Sequence, residues 1–511
     1  MGGSAAWRAF LAGIAAVMLG AGIGELAAAA FAPASSPLAT VGDAAIDLAP
    51  PWAKETAIAM FGTADKAALI VGIVLVLLIV AGALGVCEAR FRRTGALICG
   101  ALGVVGIVVA TTRADAGGLA WLPSAVAGTV GAFTIGPLAT RAVAASRPAA
   151  MPPAAGDPYG RRRFFAWAGA AALIGVAAAV SGTLLQSGAR TVAAARRALR
   201  LPAPVHAAAP LPAGAELHVA GLAPLVTPNA RFYRIDTALL VPQVDPVQWS
   251  LRVHGMVDHE VTVTWAQLMS LPLQESYTTL ACVSNPVGGD LIGTAKWLGY
   301  PIRHLLARAR PHDDADMVLS RSADGFTAST PLEVLTDERD AILAVGMNDA
   351  PLPLEHGFPV RMVVPGLYGY VSATKWVVDL EVTRFDRASA YWTRQGWAAR
   401  GPIKLESRID VPRADVTAGP TVIAGVAWQQ HVGVARVEVS IDDGPWQRAE
   451  LAPAISDDTW VQWRLRWDAA AGDHVIRCRA TSRTGEVQTG RQASPIPDGA
   501  TGWHEVQVHV E

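Results

Sequence analysis

Five long apolar runs crowd the first third of the chain, at residues 9–31, 67–87, 96–112, 118–138 and 165–186. None has a compensating polar face. Four match the roughly 20 residues a helix needs to cross a hydrocarbon core, and the third is shorter. Such a succession predicts an α-helical membrane bundle of about five spans over residues 1–187. A short basic helix-prone stretch (188–200) follows, of a kind that lies along lipid headgroups. Six prolines then alternate with small residues over 201–228, which reads as a stiff stalk closing a linker that runs from 188 to 228.

From Asn229 the pattern is mixed. WSLRVHGMV and VTVTW alternate at period two and predict strands, whereas WAQLMSL, WLGYPIRHLLARA and PLEVLTDERDAIL have helical spacing. FPVRMVVPG reads as a short buried strand. Strands and helices without regular alternation predict an α+β domain with a mixed sheet over 229–398. From 399 to 511 the helices stop. RVEVSIDDGPW, WVQWRLRW, HVIRCRA and EVQVHVE alternate between turns, the pattern of an all-β, immunoglobulin-like sandwich.

Charge gives these regions different solvents. Residues 1–187 carry 12 Lys/Arg and 8 Asp/Glu, the remaining 324 carry 30 and 35. That acidic balance excludes a nucleic-acid footprint. With Met1 inside, Arg8, Arg90, Arg92, Arg93, Arg141, Arg147 and Arg161 to Arg163 face the cytoplasm, while the first two outer loops hold only Lys54, Lys66 and Arg113. The bias places the C-terminal region on the extracytoplasmic side of the cytoplasmic membrane. Arg190, Arg196, Arg197 and Arg200 run against it. The run GRRRFF before AWAGAAALIGVAAAV has the form of a twin-arginine signal, used to export proteins already folded. All eleven histidines lie after residue 200, so no apolar run offers a haem its axial pair, and no flavin motif is visible. Glu25 is the one carboxylate well inside an apolar run, thin ground for an ion path. The bundle reads as an anchor or docking platform.

The chemistry centres on TTLACVSNPVGGDLIGTAKW. Cys282 has three open roles: a disulfide with Cys478, a nucleophile served by a histidine such as His304 or His356, or a lone soft thiolate on a metal whose other ligands belong to an organic cofactor. HGFPVRMVVPGLYGYVSATKW gathers His356, Arg361, Thr374 and Lys375 with three glycines, a composition suited to a phosphate or another anion. PNARFYRIDTALLVP adds Arg231, Tyr233 and Arg234.

These motifs carry a resemblance. Over residues 220–511 the chain resembles the sulfite oxidase family of molybdenum enzymes, through FYRIDT, LACVSN with WLGYPIRHLL, SRSADGF, HGFPVRMVVPG and SATKW, and through the strands of the C-terminal domain. The resemblance implies a membrane-anchored oxidoreductase with molybdenum held by one molybdopterin, oxo groups and the thiolate of Cys282. It implies that Tyr233 and Arg234 approach the pterin and metal pocket, with Arg234 beside Cys282 in catalysis. Ser322 would offer a cofactor-binding hydroxyl, His356 and Arg361 would grip the pterin and its phosphate, and Ala373, Thr374 and Lys375 would complete the phosphate end. It further implies oxygen-atom transfer with a small-molecule oxo donor or acceptor, a separate electron-transfer partner for which the membrane is one setting, and a homodimer through the sandwich. Sulfite-oxidising members carry an arginine pair where this chain has Asn285-Pro286-Val287, and another arginine where it reads Gln429-Gln430-His431-Val432-Gly433. Sulfite is therefore not assigned. The alternative, a non-catalytic anchored binding protein using its sandwich, leaves Cys282, Arg361 and Lys375 idle.

Overall fold

Small residues set the packing of the N-terminal helices. The computed structural model describes residues 3–32, 35–48, 65–113, 116–145, 160–185, 187–238, 241–413 and 416–511. The chain folds as two compact units, Met1–Thr191 with Thr237–Val241, and Val192–Asp236 with Pro242–Glu511. The first holds α1 (Gly3–Phe31), α2 (Pro37–Leu48), α3 (Asp65–Arg90), α4 (Thr94–Thr112), α5 (Leu122–Ala144) and α6 (Gly160–Leu185). Helix α1 packs against α3, α5 and α6, and α4 against α5. A Cβ at Gly22 would overlap the Gly175 carbonyl, and one at Gly13 the Ala81 carbonyl, so backbones meet where side chains would keep them apart. Leu97, Phe133 and Leu173 point outward, each more than 70% exposed. Five of these helices are long and apolar enough to cross a membrane. Arg162 and Arg163 are exposed in the first turn of α6; the Arg161 side chain, Lys54 and Arg147 lie outside the described residues.

Among the described residues, two carboxylates are buried within these helices, and both cap helix starts. Glu25 accepts from Ser36 Oγ at 2.9 Å and Leu38 N at 3.0 Å, at the start of α2. Glu88 accepts from Arg93 N at 3.0 Å and Ala96 N at 3.1 Å, at the start of α4. Satisfying orphan N–H groups explains both residues.

The second unit begins inside α7 (Ser187–Ala198). Its α+β part contains β1 (Ser250–Gly255), β2 (Val261–Thr264), α8 (Trp265–Ser270), β3 (Gln274–Ala281), β4 (Ile292–Pro301), α9 (Ile302–Ala309), β5 (Met317–Ser322), β6 (Thr327–Pro331), α10 (Leu332–Thr336), β7 (Ile342–Met347), β8 (Ala350–Pro351), β9 (Arg361–Val363), α11 (Gly369–Ser372) and β10 (Val377–Thr383). One sheet runs β2-β1-β10-β5-β6, with β1 and β10 parallel; the other runs β3-β4-β7-β8, with β9 also on β7. Two expected helices are shorter than their spacing suggested. WLGYP is the second half of β4, and α9 starts only after Pro301; α10 lasts five residues before β7 begins. Trp297 to Tyr300 and all of β7 are buried, and periodicity cannot tell strand from helix in a run buried on both faces.

The linker is not a free stalk. Val205 N donates to Leu273 O at 2.7 Å and Thr227 N to Thr294 O at 2.7 Å. Leu225 is 1% exposed within the main core, and its carbonyl accepts from Trp460 Nε1 at 2.8 Å. Helix α7 also docks on this unit: Val192 is buried with Phe232, Trp297 and Phe358. Arg196 donates to Leu352 O at 2.6 Å and Pro351 O at 2.8 Å. Apolar residues between the prolines, and carbonyls left open beyond β8, account for this docking.

The C-terminal part adds β11 (Glu406–Val411), β12 (Gly419–Trp428), β13 (Val434–Ile441), β14 (Gln447–Arg448), β15 (Glu450–Leu451), β16 (Val461–Ala469), β17 (Gly472–Ser482) and β18 (His504–Val510). They form two four-stranded antiparallel sheets, β11-β12-β16-β15 and β14-β13-β17-β18, over one core that includes Ile423, Trp463, Val439, Ile476 and Cys478. Cys478 is a core residue there, and all four cysteines are free, so the disulfide alternative for Cys282 is not realised.

Candidate functional site

Cys282 is the first residue beyond β3. Its N–H donates to Leu291 O at 2.9 Å, one step past the β3–β4 ladder. Asn285 N then donates to Cys282 O at 3.1 Å, and Asn285 Oδ1 accepts from Leu291 N at 2.8 Å. Those bonds close residues 282–291 into a tight loop and leave Cys282 buried at 9% exposure. Burial pushes the thiol pKa up; hydrogen bonding with Ser284 and the charge of Lys375 oppose it.

Tyr233, from the segment before β1, reaches the same place. Its ring stacks on Phe232 at 5.3 Å. Burial raises its phenol above the ordinary value, with Cys282 adding and Arg361 opposing. Gly369, at the start of α11, completes the cradle: a Cβ there would sit 3.7 Å from Ala281 O and 3.9 Å from the Tyr233 hydroxyl. Any longer side chain would enter the space between the cysteine strand and the tyrosine.

Behind them lies a cationic cluster. Arg361 is 4% exposed and stacks over Trp297 at 5.2 Å. Its hydrogen bonds are long ones to carbonyls: Met362 O at 3.3 Å, His356 O at 3.2 Å and Ala373 O at 3.4 Å. Among the described residues no carboxylate pairs it. Burial lowers its pKa to about 10, against the pull of Tyr233 and Asp236. Lys375 Nζ donates to Asp236 Oδ2 at 2.6 Å and Glu355 O at 3.0 Å. The same carboxylate oxygen accepts from Arg234 Nε at 3.1 Å. Three cations thus share the field of one carboxylate. His356, 3% exposed, is held neutral: burial, then Lys375, Arg361 and Arg234, push its pKa down to about 3. Gly357 lets the chain close on this group, since at φ +108 a Cβ would lie 2.9 Å from Arg361 Cβ and 3.1 Å from Lys375 Cβ.

The remaining expected residues divide. Ser322 ends β5 with a buried hydroxyl that has no hydrogen-bond partner; its neighbour Ala323 donates to Trp376 O at 2.9 Å. Thr374 turns its hydroxyl to Ser320 Oγ at 2.7 Å, so only its backbone faces the cluster, where Thr374 O accepts from Met362 N. Arg234 joins Lys375 through Asp236 and acts on His356. His304 rests against Tyr300 on α9, away from any pairing with Cys282. Sequence reasoning missed Asp236, Trp297 and Gly369. All three lay within motifs quoted above, Asp236 in FYRIDT, Trp297 in GTAKW and Gly369 in GLYGY, but spacing alone did not assign them a role.

An orphaned hydroxyl, a glycine cradle beside a buried thiol, and a buried arginine that no carboxylate pairs directly among the described residues fit an anionic organic group bearing a metal. A cavity of about 190 Å³ near Leu201, Glu275 and Lys296 is different in kind, for Lys296 already pairs with Glu275 at 3.3 Å and Asp349 at 2.6 Å.

Known proteins agree with the fit. Residues 238–392 match the oxidoreductase molybdopterin binding domain. The chain is 30% identical over 340 residues to mitochondrial sulfite oxidase of Mus musculus, covering 56% of this chain and 62% of that one. It is 30% identical over 334 residues to sulfite oxidase of Gallus gallus, covering 55% and 72%. An uncharacterized oxidoreductase of Bacillus subtilis, YuiH, is 31% identical over 157 residues, covering 31% and 76%. The chain therefore spans about two thirds of the sulfite oxidases it matches. In fold it is similar to the sulfane dehydrogenase SoxCD from Paracoccus pantotrophus, with a TM-score of 0.50 at 23% identity over 55% of this chain and 81% of that one. Site geometry, domain match and relatives converge: the chain belongs to the sulfite oxidase family of molybdopterin-dependent oxidoreductases.

Proposed function

We propose that this protein is a membrane-anchored oxidoreductase that transfers an oxygen atom at a molybdenum ligated by Cys282, outside the cytoplasm, and exchanges electrons with a separate partner. The observation that carries this reading is that the buried thiol of Cys282 and the buried Arg361, which no carboxylate pairs among the described residues, both act on Tyr233. Among the described residues no three His, Cys, Asp or Glu cluster as metal ligands, in keeping with a metal whose other donors come from a cofactor. When bound, the molybdenum–pterin group supplies two-electron oxygen-atom chemistry.

The chain's own residues bind and orient. Cys282 supplies the thiolate; burial opposes its ionisation, and Ser284 and Lys375 work against that penalty. Arg361 and Lys375 offset phosphate charge, while neutral His356 offers one donor and one acceptor without adding charge. Ser322 gives its unpartnered hydroxyl to the pterin, and Tyr233 and Gly369 bound the metal pocket. Arg234 acts through Asp236 at the rim of this group. The backbone of Ala373 and Thr374 closes the phosphate end.

Substrate choice follows from what replaces the sulfite-binding arginines. Asn285 spends its Oδ1 on the loop, and Pro286 and Val287 carry no charge. Gln430 is buried against Thr279 O at 3.2 Å, and His431 pairs with Asp458 at 3.0 Å. A neutral oxo compound, such as a sulfoxide or N-oxide, suits these positions better than a dianion. The five apolar helices support membrane anchoring, the arginine distribution supports an outer catalytic region, and Arg161-Arg162 support export of a folded, cofactor-loaded unit. The paired C-terminal sheets support an immunoglobulin-like domain that dimerises the chain.

The test is metal and pterin analysis of full-length protein from a cofactor-competent host, wild type beside Cys282→Ser. Molybdenum near one per chain, with its spectrum altered in the variant, is the expected result. Absence of both molybdenum and pterin would overturn the proposal. Lysines at Arg161 and Arg162 should leave the soluble unit inside, as read by protease protection; normal export refutes that route.

A further inference from the structure

The loop that bears Cys282 is held from both sides. Its inner attachments belong to the α+β part, through Leu291. Its outer attachments come from the paired C-terminal sheets. Arg408, on β11 and 4% exposed, donates from Nη1 to Gly289 O at 2.7 Å. The rest of its fork is fixed on Asp410, with Nε to Oδ1 at 2.7 Å and Nη2 to Oδ2 at 3.3 Å. Asp410 is itself pinned by Arg413 Nη2 at 2.8 Å and Ala223 N at 3.1 Å. The bidentate pairing with Asp410 fixes the plane of the guanidinium, and in that plane Nη1 is aimed at the cysteine loop.

A second contact comes from β18. The His504 imidazole packs so closely on Gly288 that a Cβ there would overlap the ring. Its Nδ1 accepts from Ile409 N at 2.9 Å, which fixes the ring plane. Burial, then Arg408, keeps His504 uncharged, so it can sit beside Arg408 without repulsion.

We propose that Arg408, oriented by Asp410 and seconded by His504, is a positioning residue that sets the depth of Cys282 from the C-terminal sheets. These sheets are then a working wall of the site and not only an appended domain. The catalytic meaning of this clamp rests on the assignment of Cys282 as metal ligand; the clamp itself does not.

The experiment uses the full-length chain from a host unable to make the pterin, so that Cys282 is unligated. Iodoacetamide labelling of Cys282 and Cys478 is followed by peptide mass spectrometry. Cys478 is fully buried, accepts from Ser407 Oγ at 3.3 Å, and reports opening of the C-terminal sheets in the same sample. Arg408→Ala with Asp410→Ala removes the pair together, leaving no lone buried charge. Cys282 labelling should accelerate about tenfold, the loss of one charge-assisted hydrogen bond to a local opening, while Cys478 stays protected. Arg408→Lys keeps the ion pair, and so the fold, but lacks the fork; it should give a smaller rise at Cys282 alone. Arg413→Ala should label as wild type. Unchanged Cys282 labelling, or a rise only in step with Cys478, overturns the clamp. Failure of the functional reading looks different: no molybdenum in protein from a competent host, with these labelling ratios unaffected.

Discussion

The Arg361 guanidinium lies 5.2 Å from the centre of the Trp297 ring, buried and, among the described residues, unpaired by any carboxylate. A buried cation without a partner is costly, and the ring face recovers only part of that cost. The arrangement makes sense when an anion arrives. Arg361→Met should therefore reduce retained pterin by about tenfold or more, as expected for losing a charge-assisted contact. The thermal midpoint of the cofactor-free protein should stay level or rise. Released pterin fluorescence and a thermal melt check the two halves; a fall in midpoint with normal pterin would make Arg361 purely structural.

The strap before the first strand yields a second prediction. A fragment starting at residue 229, the boundary read from composition, lacks Leu225 and the backbone bonds of Val205 and Thr227. Trp460 Nε1 and Gln462 would lose Leu225 O and Ala223 O as partners. Each buried donor left unpaired costs about 1–3 kcal/mol, a large share of a domain's net stability. The 229–511 fragment should aggregate, whereas 192–511 should fold, as read by soluble yield and circular dichroism.

The contrast shows what local pattern can carry. The apolar helices, the alternating C-terminal strands and the motifs around Cys282, His356 and Arg361 were legible because each is written in consecutive residues. The strap was not, since its prolines signal an extended chain but say nothing of what it lies against. WLGYP, and the strand that opens with Ile342 and Leu343, misled because buried strands lose their alternation. Asp236, which ties Arg234 to Lys375, and Arg408, which reaches Gly289 from 119 positions away, depend on tertiary placement that spacing does not encode.

Glu88 offers a test of the helical unit. Its two oxygens serve Arg93 N and Ala96 N, so Glu88→Ala should lower the detergent-solubilised protein's thermal stability by about 1 kcal/mol, the usual worth of a cap. Glu88→Gln keeps one good acceptor and should lose less. Equal losses in the two variants would show that the charge, not the acceptor geometry, matters there.

Acid and alkali should destabilise the soluble unit through different groups. His356 and His504 have pKa values pushed down to about 3 and about 4, chiefly by burial. Below pH 6.5 the unfolded histidines take protons that the folded ones refuse, so stability falls as pH drops from about 6.5 toward 4, by about 1.4 kcal/mol per pH unit for each proton. Glu406 runs the other way. Burial raises it to about 8 against the pull of Lys404, so the folded state keeps a proton that the unfolded chain releases above about pH 4.5. Its contribution is lost as pH rises toward 8, and Asp340 and Asp458, also raised by burial, tilt in the same direction. Melts of cofactor-free protein should therefore peak near pH 6.5, where the histidine gain has ended and the carboxyl loss continues. Glu406→Gln should flatten the decline between about pH 6.5 and 8 and steepen the rise between about pH 4.5 and 6.5. An unaltered alkaline slope in that variant would mean Glu406 is ionised in the folded protein.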